Sequence, residues 1–119
     1  MFTGDELGAT FVSFDELLKQ SDYLVVAAPL TNETNGLFND SVFDQMKKTS
    51  VFVNIARGQI VNTDSLVRAL RNKKIFAAGL DVTDPEPLPP DHELLKLPNA
   101  GILFYSFSLF IFTIDYYYH

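Results

Sequence analysis

Apolar residues fall along this chain in short runs set between amphipathic stretches, and the densest such arrangement is VFVNIARGQIVNTDSLVRALRNKKIFAAGLD, from Val51 to Asp81. A β-branched apolar run opens it, and a turn at Arg57-Gly58 follows. An amphipathic stretch then repeats apolar residues at Leu66, Val67 and Leu70, and a second apolar run closes on an acid. Apolar runs without polar alternation suit parallel strands covered on both faces, and helical crossovers are how parallel strands are joined. The pattern therefore predicts a strand–helix–strand unit in an α/β sheet.

The flanking stretches extend this scheme. Met1 to Ala9 is mixed in character and predicts loose chain, while Thr10-Phe11-Val12 predicts a brief strand. Ser13 and Glu16 stand at capping-box spacing, a hydroxyl N-cap with a glutamate three residues on, which predicts a helix to about Gln20. Asp22 to Ala28, DYLVVAA, predicts a buried parallel strand ended by Pro29. After the TNETNG turn, Asn39 is an N-cap candidate for a helix with Val42, Phe43 and Met46 on one face. The central helix begins at Thr63. Arg68, Arg71, Lys73 and Lys74 gather toward its end, where positive charge complements the helix dipole; a phosphate-binding patch is the alternative reading.

Composition narrows the function. The formal net charge is −6 over 119 residues, which argues against a nucleic-acid partner, since phosphates call for a basic surface. Cysteine is absent, excluding disulfides and thiolate metal sites. The start of the chain is not the basic, apolar pattern of a signal peptide, so the expected compartment is the cytoplasm. The length suits one domain with a modest core. The run ILFYSFSLFIFTI, 13 uncharged residues from Ile102 to Ile114, is shorter than the roughly 20 residues of a membrane helix, so no membrane span is expected.

Candidate chemistry lies at the ends of the apolar runs. Arg57 follows VFVNIA and Asp81 closes FAAGLD, so both are expected at carboxyl ends of strands, the edge along which open α/β sheets bind ligands. An arginine there can grip a carboxylate through two parallel hydrogen bonds. Equally, Arg57 alone could cap a strand end and Asp81 begin a turn. The loop that follows, DVTDPEPLPP, is acidic and proline-rich, and its prolines predict an extended backbone holding Glu86 near the strand end.

NIARGQIVN followed by AAGLDVTDPEPLP resembles the NAD-binding domain of the D-isomer-specific 2-hydroxyacid dehydrogenases, and PEPLP with HELLKLPN resembles their glyoxylate/hydroxypyruvate reductase branch. The likeness covers about Thr10 to Leu103. It implies a partial Rossmann-like, doubly wound parallel sheet lacking its first β-α-β unit over residues 1–103, with residues 104–119 a divergent apolar and aromatic tail. It also implies NADP or NAD as cofactor and a small 2-keto or 2-hydroxy acid as substrate, reduced by hydride from the nicotinamide and a proton from a histidine. By position Arg57 matches the residue that binds the substrate carboxylate and polarises its carbonyl. Glu86 matches the acid that pairs with the catalytic histidine. Asp81 matches the residue holding the nicotinamide amide, Ile55 lies beside the cofactor, and Pro29 matches the adenosine-side loop.

Two parts of the family pattern do not occur. Where the histidine of a P-H-x-G-x-x-T segment is expected, Gly101-Ile102-Leu103 runs on to Phe104-Tyr105, placing Tyr105 at its position. A phenol, with a reference pKa of about 10, is a poor proton donor near neutrality. His92, in the proline-rich loop, and His119, in the tail, do not fit the vacancy. There is also no G-x-G-x-x-G to seat a pyrophosphate at a helix amino terminus; by the fold's usual strand order, the absence of the first two strands leaves the sheet with an expected open apolar edge. The abrupt break at Phe104 is that expected of an alternative exon or of read-through. Together these features predict an isolated chain without useful turnover. The alternative is a non-catalytic isoform that binds a full-length subunit through the open edge; the family's homodimer is not supported by this chain alone.

Overall fold

The computed structural model describes residues 4–103. Four parallel strands form one sheet in the order β1-β2-β3-β4: β1 is Tyr23–Val26, β2 Val51–Asn54, β3 Ala77–Leu80 and β4 Ala100–Ile102. Three helices lie between them in sequence: α1, Phe14–Gln20, before β1; α2, Asp40–Phe43, between β1 and β2; and α3, Thr63–Arg71, between β2 and β3. This is the α/β sheet that the strand–helix–strand pattern predicts, in the Rossmann-like form that the resemblance implies.

Helix starts follow the local chemistry. The Ser13 side chain accepts from the Glu16 amide, and the Glu16 carboxylate accepts in return from the Ser13 amide at 3.0 Å, completing the capping box. That backbone hydrogen bond holds the Glu16 carboxyl below its ordinary value. Asn39 caps α2 through Val42, and Asn62 caps α3 through Ser65. Each supplies an acceptor to an amide that the first turn leaves without a partner.

The register shows where the core sits. Leu24, Phe52, Ala78 and Ala100 form one cross-strand row, and Val26, Asn54, Leu80 and Ile102 the next. On this face the core is built. Val42, Phe43 and Met46 from α2 and its following turn, and Leu66, Val67 and Leu70 from α3, are all buried, as the helical periodicity predicts. Phe52 lies 4.9 Å from the Phe38 ring and 5.3 Å from that of Phe43, with Phe14 edge-on to Phe38. Such ring clusters bury more apolar area per residue than aliphatic side chains do.

The opposite face corrects an expectation. Tyr23 is 74% and Val25 54% exposed, so β1 is covered on one side only, and it ends at Val26 rather than Ala28. Among the described residues no helix lies over this face. Thr10-Phe11-Val12 is likewise not a strand: no described strand runs beside it, Phe11 is 88% exposed, and a strand without a neighbour has no ladder of hydrogen bonds to hold it. The first residues are less loose than predicted, since Asp5–Leu7 forms a 3-10 turn.

The cations around α3 act mainly as surface tethers. Arg68 forks onto Asp40 at 2.7 and 3.0 Å, Arg71 reaches Glu93 at 3.1 Å, and Lys74 pairs with Asp44. The Arg68 guanidinium, and after it the Ser65 hydroxyl, hold the Asp40 carboxyl down at about 2. No described helix is long and apolar enough to cross a membrane. Tyr105, His119 and the rest of the tail from Phe104 lie outside the described residues.

Candidate active site at the carboxyl edge of the sheet

Parallel strands deliver all their carboxyl ends to one edge, and the sequence-predicted residues arrive there together. Beyond β1 come the exposed residues Ala27 to Leu30, with Pro29 among them; beyond β2 come Ile55 and Arg57; beyond β3 comes Asp81. The ladder continues one step past the strands. Ile55 donates its N–H to the Val26 carbonyl at 3.3 Å, Asp81 to that of Asn54 at 3.0 Å, and Leu103 to that of Leu80 at 2.9 Å. Ile55 and Asp81 are therefore fixed by the sheet itself, with Ile55 53% exposed.

Arg57 is presented by a clamp. Asn54, 1% exposed, ends β2 on the core face. Its Nδ2 donates to the Arg57 carbonyl at 2.9 Å and its Oδ1 accepts from the Ala56 amide at 3.0 Å, closing the turn from both sides. Arg57 itself is exposed, donates from Nη1 to the Ala56 carbonyl at 2.7 Å, and makes no ion pair among the described residues. Most of its five donors are left for an incoming anion.

Gly58 joins this turn to the loop that carries Glu86. It is buried, and a Cβ added there would lie 2.1 Å from the Thr83 carbonyl oxygen and 2.7 Å from the Asp84 nitrogen. Only a residue without a side chain allows that approach. The loop is folded back rather than extended as its prolines suggest. Residues 84–87 are bends, and Asp84–Pro85 and Glu86–Pro87 are both cis. Thr63 donates from its hydroxyl to the Asp84 carbonyl at 2.6 Å, Thr83 donates to that of Pro85 at 2.9 Å, and Leu88 is buried at the far end. These contacts outweigh the extended preference of the residues before proline. Glu86 stands exposed between them, and no ion pair joins it to Arg57.

His92 has a different task. Its Nδ1 accepts from the Leu94 amide at 3.2 Å, capping the 3-10 helix Glu93–Lys96, and it is half-buried. Reading the sequence missed Asn54 and Thr63 as the fasteners of the two loops. The one available signal was Asn54 itself, an amide interrupting the apolar run VFVNIA.

A nicotinamide dinucleotide fits this edge in part. Ile55, Asp81 and Pro29 offer an apolar shelf and a carboxylate at the strand ends. The amino termini of α1, α2 and α3 are capped by Ser13, Asn39 and Asn62, so among the described residues none is left open for a pyrophosphate.

The family model described as "D-isomer specific 2-hydroxyacid dehydrogenase, NAD binding domain" matches residues 3–104. The chain belongs to this family. It is 57% identical over 98 residues to the glyoxylate reductase/hydroxypyruvate reductase of Homo sapiens, covering 82% of this chain and 30% of that protein. Among solved structures, the TT0316 protein of Thermus thermophilus is 48% identical with a TM-score of 0.80, over 85% of this chain and 32% of that one. An NAD-dependent formate dehydrogenase from Staphylococcus aureus, solved in complex with NAD, is 42% identical with a TM-score of 0.79, over 85% of this chain and 30% of that one. The chain thus spans about a third of the length of the family members it matches.

Proposed function

We propose that this chain is a portion of an NAD(P)-dependent 2-hydroxyacid dehydrogenase of the glyoxylate/hydroxypyruvate reductase type, and that alone it does not turn over. The observation that carries the reading is Arg57, exposed and unpaired among the described residues and held at the strand ends by the buried Asn54. Arg57 binds the substrate carboxylate and draws electron density from the adjacent carbonyl oxygen. When bound, the cofactor supplies the hydride. Asp81 would hold its carboxamide, and Ile55 and Pro29 would line its nicotinamide and adenosine sides. In an intact family member Glu86 would orient and stabilise a protonated histidine donor, at whose position this chain carries Tyr105.

Within residues 4–103 the histidine is His92, and its ring already serves as a cap rather than as a donor at the carboxyl edge. Loss of a general acid alone costs about 10²–10⁴-fold. The isolated chain is therefore expected to show no NADPH- or NADH-dependent reduction of hydroxypyruvate. The residue roles are tested in a chimera in which this chain's segment replaces the matching 98 residues of the human reductase. Activity there should fall at least about 100-fold in Arg57→Ala and Glu86→Gln; retained activity in both would refute the assignment.

β1 is an end strand of the described sheet, and that open edge favours a second reading, in which the chain is a non-catalytic isoform that pairs with a full-length subunit. Co-purification with the intact reductase tests it, and a chain that stays monomeric beside that enzyme would count against it. A cytoplasmic location belongs to the same proposal and is checked by fractionating cells that express a tagged chain.

A further inference from the structure

The amino ends of the strands, at the edge opposite Arg57 and Asp81, carry a separate concavity of about 580 Å³. Ile75, fully buried, and Leu97, half-buried, line its base. One wall is Phe76, whose side chain is unusual: a large aromatic residue 66% exposed on a backbone pinned at both ends. Its N–H donates to the Ser50 carbonyl at 2.9 Å, and its own carbonyl accepts from Asn99 Nδ2 at 3.1 Å. Asn99 also donates to the Leu70 carbonyl at 3.2 Å, tying the end of α3 to the start of β4.

Lys48, Arg71 and Lys73 border this apolar space. Their neighbours Lys47, Arg68 and Lys74 are each committed to an aspartate, whereas Lys48 and Lys73 make no ion pair among the described residues. The acid at this rim is Glu93, paired with Arg71 across a half-exposed contact that leaves part of the guanidinium fork available. A chain of net charge −6 thus gathers a local excess of cations around an apolar cleft.

The end of α3 places Lys73. Its φ is 54°, and it is the one described non-glycine residue with a positive value. It stands just beyond the C-cap of α3, the place where helices commonly end on a left-handed glycine. The Lys73 amide donates to the Leu70 carbonyl at 3.2 Å and the Lys74 amide to that of Ala69 at 2.9 Å, the paired bonds that close a helix end, and this turn brings Lys73 to the border of the cleft.

We propose that this cleft binds an aryl carboxylate, the ring packing against Phe76 over Ile75 and Leu97 and the carboxylate lying on Lys48 and Lys73 with help from Arg71. The volume is that of a small-ligand pocket, and the lining has the usual form of an apolar body with a few convergent polar groups. Aromatic stacking on Phe76 supplies a preference for a ring, and the two unpaired ammonium groups supply the preference for an anion.

The test is equilibrium dialysis of the full chain against 2-naphthoate, with amide chemical shifts of Lys73 and Phe76 followed in parallel. Saturable binding is expected, perturbing both amides and weakened about tenfold in the Lys48→Gln/Lys73→Gly double variant. Lys73→Gly relieves the left-handed strain and should raise the melting temperature, so weaker binding by that variant cannot be ascribed to unfolding. The neutral analogue 2-naphthylmethanol should bind at least about tenfold more weakly. The proposal is overturned by an absence of saturable binding, by equal affinity for the neutral analogue, by equal competition from inorganic phosphate, or by loss of binding in Arg57→Ala, which would place the ligand at the opposite edge.

Discussion

Replacing Gly58 by alanine probes the close approach of the Arg57 turn to the Glu86 loop. The backbone at Gly58 is not left-handed, so alanine carries no intrinsic conformational cost there. The cost is steric. A Cβ 2.1 Å from the Thr83 oxygen and 2.2 Å from its carbonyl carbon overlaps main-chain atoms, and reaching ordinary contact requires a displacement of about 1 Å or more. Overpacking of this kind costs about 1–3 kcal/mol, and sometimes more. The displaced loop also strains the 2.6 Å hydrogen bond from Thr63 to Asp84, whose loss would add about 1 kcal/mol. The sum, about 2–4 kcal/mol, is a large part of the stability of a domain this size, and it corresponds to a fall of roughly 10–25 °C in melting temperature. Gly36→Ala is the matched control. There φ is 64° with no atom within 4 Å of the added carbon, so only the left-handed penalty of about 1–2 kcal/mol applies. Urea unfolding followed by circular dichroism at several temperatures compares the two. If Gly58→Ala is no less stable than Gly36→Ala, the tight junction between the loops is wrong.

Asn54→Ala should cost about 2–3 kcal/mol, because it strands the Ala56 amide and the Arg57 carbonyl together; chemical denaturation measures it, and a loss under about 1 kcal/mol would remove the clamp from the argument. Phe52→Ala opens a hole amid Phe38 and Phe43 and should cost about 3–5 kcal/mol, read from the same denaturation curves. The Asp40 carboxyl is depressed from 3.8 to about 2 by Arg68 and Ser65. Its contribution is therefore fully present above pH about 4 and is lost as the pH falls through about 2. Asp40→Asn should abolish that part of the acid dependence, seen as a smaller drop in urea midpoint between about pH 5 and about pH 2 than in the unmodified chain.

What could be read from the sequence was what local chemistry decides. Ser13 with Glu16, and Asn39 before its apolar helical face, announce helix starts because a cap and its amide lie within a single turn. Arg57 and Asp81 were placeable because a parallel strand followed by a polar residue delivers that residue to the carboxyl edge. Contacts between distant stretches were not legible. Gly58 meets Thr83, and Asp40 meets Arg68, across intervals of 25 and 28 residues that no short pattern records. Thr10-Phe11-Val12 has strand composition and is not a strand, since composition proposes a strand but a hydrogen-bonding neighbour makes one. β1 failed in the same way on one face: DYLVVAA is apolar enough for burial on both sides, and only the tertiary arrangement reveals that Tyr23 and Val25 stay exposed.

The two ends of the same sheet are each pinned by polar side chains. At the carboxyl edge the turn after β2 is closed by Asn54 and the loop after β3 by Thr63 and Thr83, so Arg57 and Glu86 are held by residues that do not themselves need to touch a substrate. Such support is what allows exposed charged groups to keep a productive orientation. At the amino edge Asn99 performs the corresponding task, bridging the carbonyls of Leu70 and Phe76. In all three places a polar side chain satisfies main-chain groups left over where a strand or helix ends. Exposed side chains therefore project from frames set by backbone hydrogen bonding, which is why Arg57, Asp81 and Ile55 share the carboxyl edge within the described residues 4–103.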